Sequence, residues 1–211
     1  MTLLRGMLIS YQDAFTGALP TLVTFQYNPT EVTRVFGSER TPGREQPGGQ
    51  PRTVASAPQE KYSLKLELDA TDGLEREAPI TMAAGISPRI AALEMLMQPV
   101  GGSILGAAVA SLLGQGAKGQ AIPPLKVPFV LFAWGPQRIT PVRVEALTVR
   151  ETAFDALLNP LHATAEISFT VLRKADVPKD DKVMVMAAAY YQVLRETKAV
   201  LAPLQAIEMG G

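Results

Sequence analysis

Between Tyr62 and Asp69, Leu64, Leu66 and Leu68 alternate with Lys65, Glu67 and Asp69. A period of two sends successive side chains to opposite faces of a strand, so this segment belongs to a sheet with one wet face and one packed face. Such a strand is useful only beside others, and the chain supplies them. Leu3 to Tyr11 reads as a first strand and Leu19 to Tyr27, rich in β-branched and aromatic residues, as a second, with Asp13 and Gly17 between them as a hairpin connection. Val127 to Trp134 is continuously apolar, which suits a strand buried on both faces, while Pro128 pushes it toward a strand start or an edge. Pro141 to Arg150 alternates as Val142, Val144, then Leu147, Val149, and the phase slip at Glu145-Ala146 predicts a bulge. Ala163 to Arg173 closes the set, with Ala165, Ile167, Phe169 and Val171 on one face. Asn28-Pro29-Thr30, Gly135-Pro136 and Asn159-Pro160 punctuate it as turns.

Two stretches have helical character. Ser87-Pro88 predicts a helix start, with Ser as N-cap, Ile90, Leu93, Leu96 and Met97 on the apolar face and Pro99 as the stop. Past Pro178, Asp180 and Asp181 favour a helix N-terminus. Val183, Met186/Ala187, Tyr190, Leu194 and Leu201 then recur at steps of three and four, and Pro203 and Gly210-Gly211 are expected to close the helix. The fold expected is mainly β, an antiparallel barrel or sandwich with one internal helix and a C-terminal helix. At 211 residues, one domain of 1–175 and a helical extension of 176–211 account for the chain. Residues 37–60 carry Pro and Gly interleaved with Arg40, Arg44 and Arg52, a composition too poor in apolar groups to order alone, and predict a flexible arm. Residues 101–122 form a Gly/Ala-rich insertion.

Chemistry is sparse. There is no Cys and one His, His162, so thiolate nucleophiles and Cys-ligated zinc are excluded and no His pair exists to share a metal. Gly114 to Gly119 matches G-x-G-x-x-G, but the following Ile122-Pro123-Pro124 cannot continue the helix that a dinucleotide site requires. Asp69, Asp72, Glu75 and Glu77 fit a solvated turn better than a paired-acid or calcium site. Trp134 reads first as core and second as an interface anchor. With 20 basic and 20 acidic residues the chain has no electrostatic footprint for nucleic acid, and near neutrality it tends to associate. The apolar run Ile104 to Leu113 is about half the length that crosses a membrane, and the first residues lack the apolar core of a signal peptide. No enzyme, cofactor or metal site is expected, and cytoplasmic synthesis is the simplest expectation.

Four segments, Phe25 to Glu31, Tyr62 to Asp72, Pro123 to Gly135 and Val142 to Pro160, in that order resemble the tube-initiator or adaptor proteins of contractile injection systems, the phage-tail-like particles. Phe25-Gln26-Tyr27-Asn28-Pro29-Thr30-Glu31 resembles that family's F-x-(Y)-N-P-(S/T)-E signature, and Tyr62 to Asp72 its alternating strand. Pro123-Pro124 with Phe129 to Gly135 resembles its strand ending in W-G, and Val142 to Phe154 with Asn159-Pro160 its following run. The matching positions are Phe25, Asn28, Pro29, Glu31, Trp134, Gly135, Phe154, Asn159 and Pro160. The resemblance implies a β-barrel of tail-tube type and a structural ring, a hexamer, joining the spike hub to the inner tube of a particle that stays in the cell or leaves it. Its partners would be the inner tube, spike and baseplate proteins. The LysM module common in the family has no counterpart after Asp176. Arg40, Arg44 and Arg52, with Met186, Tyr190 and Leu194, are the candidate interface residues. The alternative is a β-barrel module holding a small apolar ligand beneath the insertion as a lid.

Overall fold

The computed structural model describes residues 4–10, 21–37, 58–98, 128–179 and 181–210. Seven strands form one antiparallel sheet: β1 (Met7–Ser10), β2 (Thr21–Thr24), β3 (Val32–Gly37), β4 (Gln59–Asp69), β5 (Val130–Ala133), β6 (Ile139–Phe154) and β7 (Pro160–Val171). Their order across the sheet is β2-β1-β5-β6-β7-β4-β3. Three helices, α1 (Thr71–Glu75), α2 (Pro79–Ala84) and α3 (Ser87–Met95), follow β4, and α4 (Lys182–Gly210) follows β7. The architecture is therefore mainly β with a C-terminal helix, as the periodicities predict. The sheet does not close: β2 and β3 are unpaired edges among the described residues.

These edges are neighbours in the chain yet opposite borders of the sheet. Laid flat, six inter-strand steps of about 4.8 Å would separate them by roughly 29 Å. The link from Thr24 to Val32 could span about that distance only if fully extended, and it contains the Asn28-Pro29 turn. The sheet must therefore curl until its borders approach. The link is also tied to both sides. The Phe25 N–H donates to the Gly6 carbonyl at 2.9 Å beside β1, whereas Gln26 Oε1 accepts from the Asp69 N–H at 3.0 Å at the end of β4.

Alternation puts the core on the inner face of this curl. Tyr62 pairs with Phe169, Leu64 with Ile167, Leu66 with Ala165 and Leu68 with Ala163, and all eight are buried. Phe132 stacks at 4.9 Å from Phe169 and 5.7 Å from Tyr62, so aromatic rings occupy the inner face. Ile86, Ile90, Leu93 and Leu96 lay α3 against the same core. The expected bulge is present: Val144 faces Phe169 and Ala146 faces Ser168, leaving Glu145 as the extra residue. A smaller core forms where Leu131, Leu172, Val177, Met184 and Ala187 meet under the start of α4.

The structure differs from the sequence reading at several points. Among the described residues three internal helices stand where one was expected, because the turns of α1 and α2 are too short to show a helical period. Ser87 is helical and Ile86 is the N-cap, with no side-chain cap bond. Gly37 belongs to β3 and Gln59 and Glu60 to β4, so the expected arm begins and ends inside the sheet. Pro203 does not end α4, which runs to Gly210. A proline removes one intrahelical bond, and here the freed carbonyl lies in a solvent-exposed part of the helix. The remaining arm residues, with Arg40, Arg44 and Arg52, and the 101–122 insertion with its glycine run lie outside the described residues.

Candidate assembly surface

Among the described residues strand β3 pairs with β4 along one border only, Val32 opposite Leu64 through Gly37 opposite Gln59. Its sequence, Val-Thr-Arg-Val-Phe-Gly, carries no proline or lysine to blunt the free border. Val35 is 56% exposed and Phe36 47% exposed. At the opposite edge, Leu22 of β2 is exposed as well.

The inner side of β3 is anchored to α4 through a buried carboxylate. Glu60, opposite Phe36, is 4% exposed, and three groups converge on it. The Arg195 guanidinium of α4 lies 2.6 Å away, the Tyr191 hydroxyl of α4 donates at 2.7 Å, and Arg34 of β3 lies at 3.8 Å. Arg195 also stands over the rings of Phe36, at 4.9 Å, and Tyr191, at 5.3 Å. Tyr62 and Tyr191 bring their hydroxyls within 3.2 Å. Burial, with the hydrogen bonds to Tyr62 and Glu60, pushes the Tyr191 phenol far above the ordinary range, so it stays a donor at every physiological pH. Edge strand β3, its neighbour β4 and the helix are thus locked by one polar cluster, while the outer border of β3 has no partner strand among the described residues. The cluster could orient a strand for pairing with another chain; nothing in it resembles a nucleophile–base pair.

The helix continues the lock along one side. Tyr190 donates to the Pro136 carbonyl at 3.0 Å and Lys198 Nζ to the Gln137 carbonyl at 3.1 Å, both in the turn after β5. Met184, Ala187 and Ala188 are the buried face. Of the apolar stripe read in the sequence, Val183, Met186, Tyr190 and Leu201 are exposed, Leu194 is half-buried and Ala187 is buried.

The family-motif positions serve two structural clusters. Phe25 is buried and its ring lies 6.3 Å from that of Trp134, which touches Phe132 in turn. Asn28 ties down the N-terminal strand, accepting from the Gly6 N–H and donating to the Leu4 carbonyl, both at 2.8 Å. Gly135 takes φ 73°, a left-handed turn that glycine adopts without strain. Glu31 is exposed and accepts from Thr33; Pro29 is half-buried between these groups. At the far end Asn159 donates to Asp155 at 2.9 Å, and the Pro160 carbonyl accepts from the Ile86 N–H at 2.9 Å. Phe154 is half exposed there.

His162 is bonded to Thr152 at 2.8 Å and lies 3.3 Å from Glu67, on the wet face of β7. Among the described residues no cluster of three or more His, Cys, Asp or Glu could hold a metal. A shallow depression of about 380 Å³ on the outer face, between β3, β4, β6 and β7, is lined by Glu31, Thr33, Lys65, Thr148 and Glu166. Its carboxylates and hydroxyls, open to solvent, form no apolar ligand site. No helix among the described residues is long and apolar enough to cross a membrane. Sequence reading missed Glu60, Tyr191 and Arg195, whose only signal was a glutamate in the phase of Tyr62 and Leu64. No protein-family model and no curated protein matches the chain.

Proposed function

We propose that the protein is a structural, non-enzymatic subunit of a contractile, phage-tail-like particle, a tube initiator or adaptor between spike hub and inner tube. One observation supports the reading: a curled sheet with its edge strand β3 braced from within by the Glu60 cluster and, among the described residues, unpaired on its outer border. An exposed, unblunted edge is a template for another strand, and a ring of identical subunits is the closed arrangement in which every such edge finds a partner. The ordered resemblance of residues 25–31, 62–72, 123–135 and 142–160 supplies the kind of ring. Its mechanism is mechanical: the ring adapts the symmetry of the hub and templates the first tube layer.

The test is co-expression with tube and spike subunits of a contractile particle, followed by electron microscopy of the purified product. Rings that nucleate tube are expected, and Val35→Lys on the free edge should abolish them while leaving the fold intact. A protein that captures neither subunit and forms no ring would overturn the reading. The apolar-ligand alternative gains no support, since Tyr62, Phe132 and Phe169 occupy the inner face.

A further inference from the structure

Along α4, residues 186, 190, 193, 197, 200, 204 and 207 are spaced alternately by four and three, the period of a heptad seam. They are Met, Tyr, Val, Thr, Val, Leu and Ile, and every one is exposed, Met186, Val200 and Ile207 by more than 70%. Leu201, beside the seam, is exposed too. The polar member is already satisfied, because the Thr197 hydroxyl donates to the Val193 carbonyl at 2.8 Å. It can be buried without a partner, presenting its methyl group.

A strict period of 3.5 keeps an apolar line facing a neighbouring helix over several turns, whereas a helix lying on a sheet needs no such register. The protein's own sheet is served mainly by another face, that of Met184, Ala188, Tyr191 and Arg195, although Tyr190 at the start of the seam also reaches the Pro136 carbonyl through its hydroxyl. We infer that α4 packs through this seam against α4 of other copies of the same chain, in parallel and in register. This stands apart from the edge-strand ring, which uses β3. The six apolar seam side chains are each between 44% and 73% exposed, so the strip is free for contact over its whole length. Charge allows self-pairing. In register, Glu196 faces Leu201 and Glu208 faces Pro203 of the other copy, so no like charges meet. Valine and isoleucine at 193, 200 and 207, leucine at 204, and the added Leu201 widen the seam, a choice that suits bundles of more than two helices.

The experiment is sedimentation of the full chain, with cross-linking of a Val200→Cys variant, which is clean because the chain has no other cysteine. Wild type should associate reversibly and the variant should cross-link to itself on oxidation. A Gln192→Cys variant, off the seam, should not. Val200→Glu with Ile207→Glu should weaken association at least about 100-fold, by placing carboxylates in an apolar contact, with circular dichroism unchanged. A monomer at all concentrations, association indifferent to the double variant, or no cross-link at Val200 would overturn the inference. Val35→Lys separates the two readings. If it alone abolishes assembly, the edge ring survives and the helix pairing fails; if the glutamates alone do so, the reverse holds.

Discussion

Thr140 is fully buried opposite Phe132, and its hydroxyl has no hydrogen-bond partner among the described residues. Thr140→Val keeps the shape and removes that desolvated group, so it is expected to stabilise the fold by about 1 kcal/mol, measured by urea denaturation. Gly85 makes the opposite case. It sits at φ 56°, and a Cβ there would lie 2.1 Å from the Pro160 carbonyl oxygen, a backbone atom that cannot swing aside. Gly85→Ala should cost several kcal/mol, on the order of 3, whereas Gly37→Ala, with nothing within 4 Å, should stay within about 1 kcal/mol of wild type. The bulge residue contributes to the pH dependence, beside Asp69, Asp155 and Asp176. The Thr170 hydroxyl, aided by Lys61, holds the Glu145 carboxyl below the ordinary carboxylate range. A lowered folded pKa gives stability that is present above the unfolded value and fades as pH falls through the folded one. Thr170→Val should therefore cost about 1 kcal/mol at neutral pH, and the difference should shrink on acidification, as paired urea titrations at pH 7 and pH 3 would show.

Among the elements, the junction of β3, β4 and α4 is the most informative. Arg195→Ala strands the buried Glu60 charge and should cost about 3 kcal/mol, while Glu60→Gln leaves two partly exposed arginines to rehydrate and should cost nearer 1 kcal/mol. Chemical denaturation of the two variants checks the ordering. Sequence periodicity located β4, β7 and the bulge of β6, because leucines and valines on one face declare both strand and phase. It passed over β3, where Val32 and Phe36 straddle Arg34 and no alternation shows. The true partner of Arg34 is a glutamate twenty-six residues on, and no local pattern announces such a meeting.

For the whole molecule, α4 divides into an anchored and a free half. Lys198 makes the last bond to the sheet side, and residues 199–208 are exposed. A chain ending after Lys198 should therefore unfold within about 2 °C of wild type at high dilution, a comparison for calorimetry; a large drop would show that the free half braces the monomer. The same truncation removes Val200, Leu204 and Ile207 and should abolish self-association through the seam. The Asn28 clamp, by contrast, joins segments distant in the chain, and its substitution should be felt as global destabilisation.

The sequence by itself determined every strand of the sheet but β3, the C-terminal helix and the lack of a thiol or paired-histidine site, since period, turn residues and composition are local properties. Only the tertiary structure decided which borders stay open and which face of α4 is spare. Both depend on how far the sheet curls and where one buried carboxylate draws its arginines, and those are set by contacts between residues far apart in the chain.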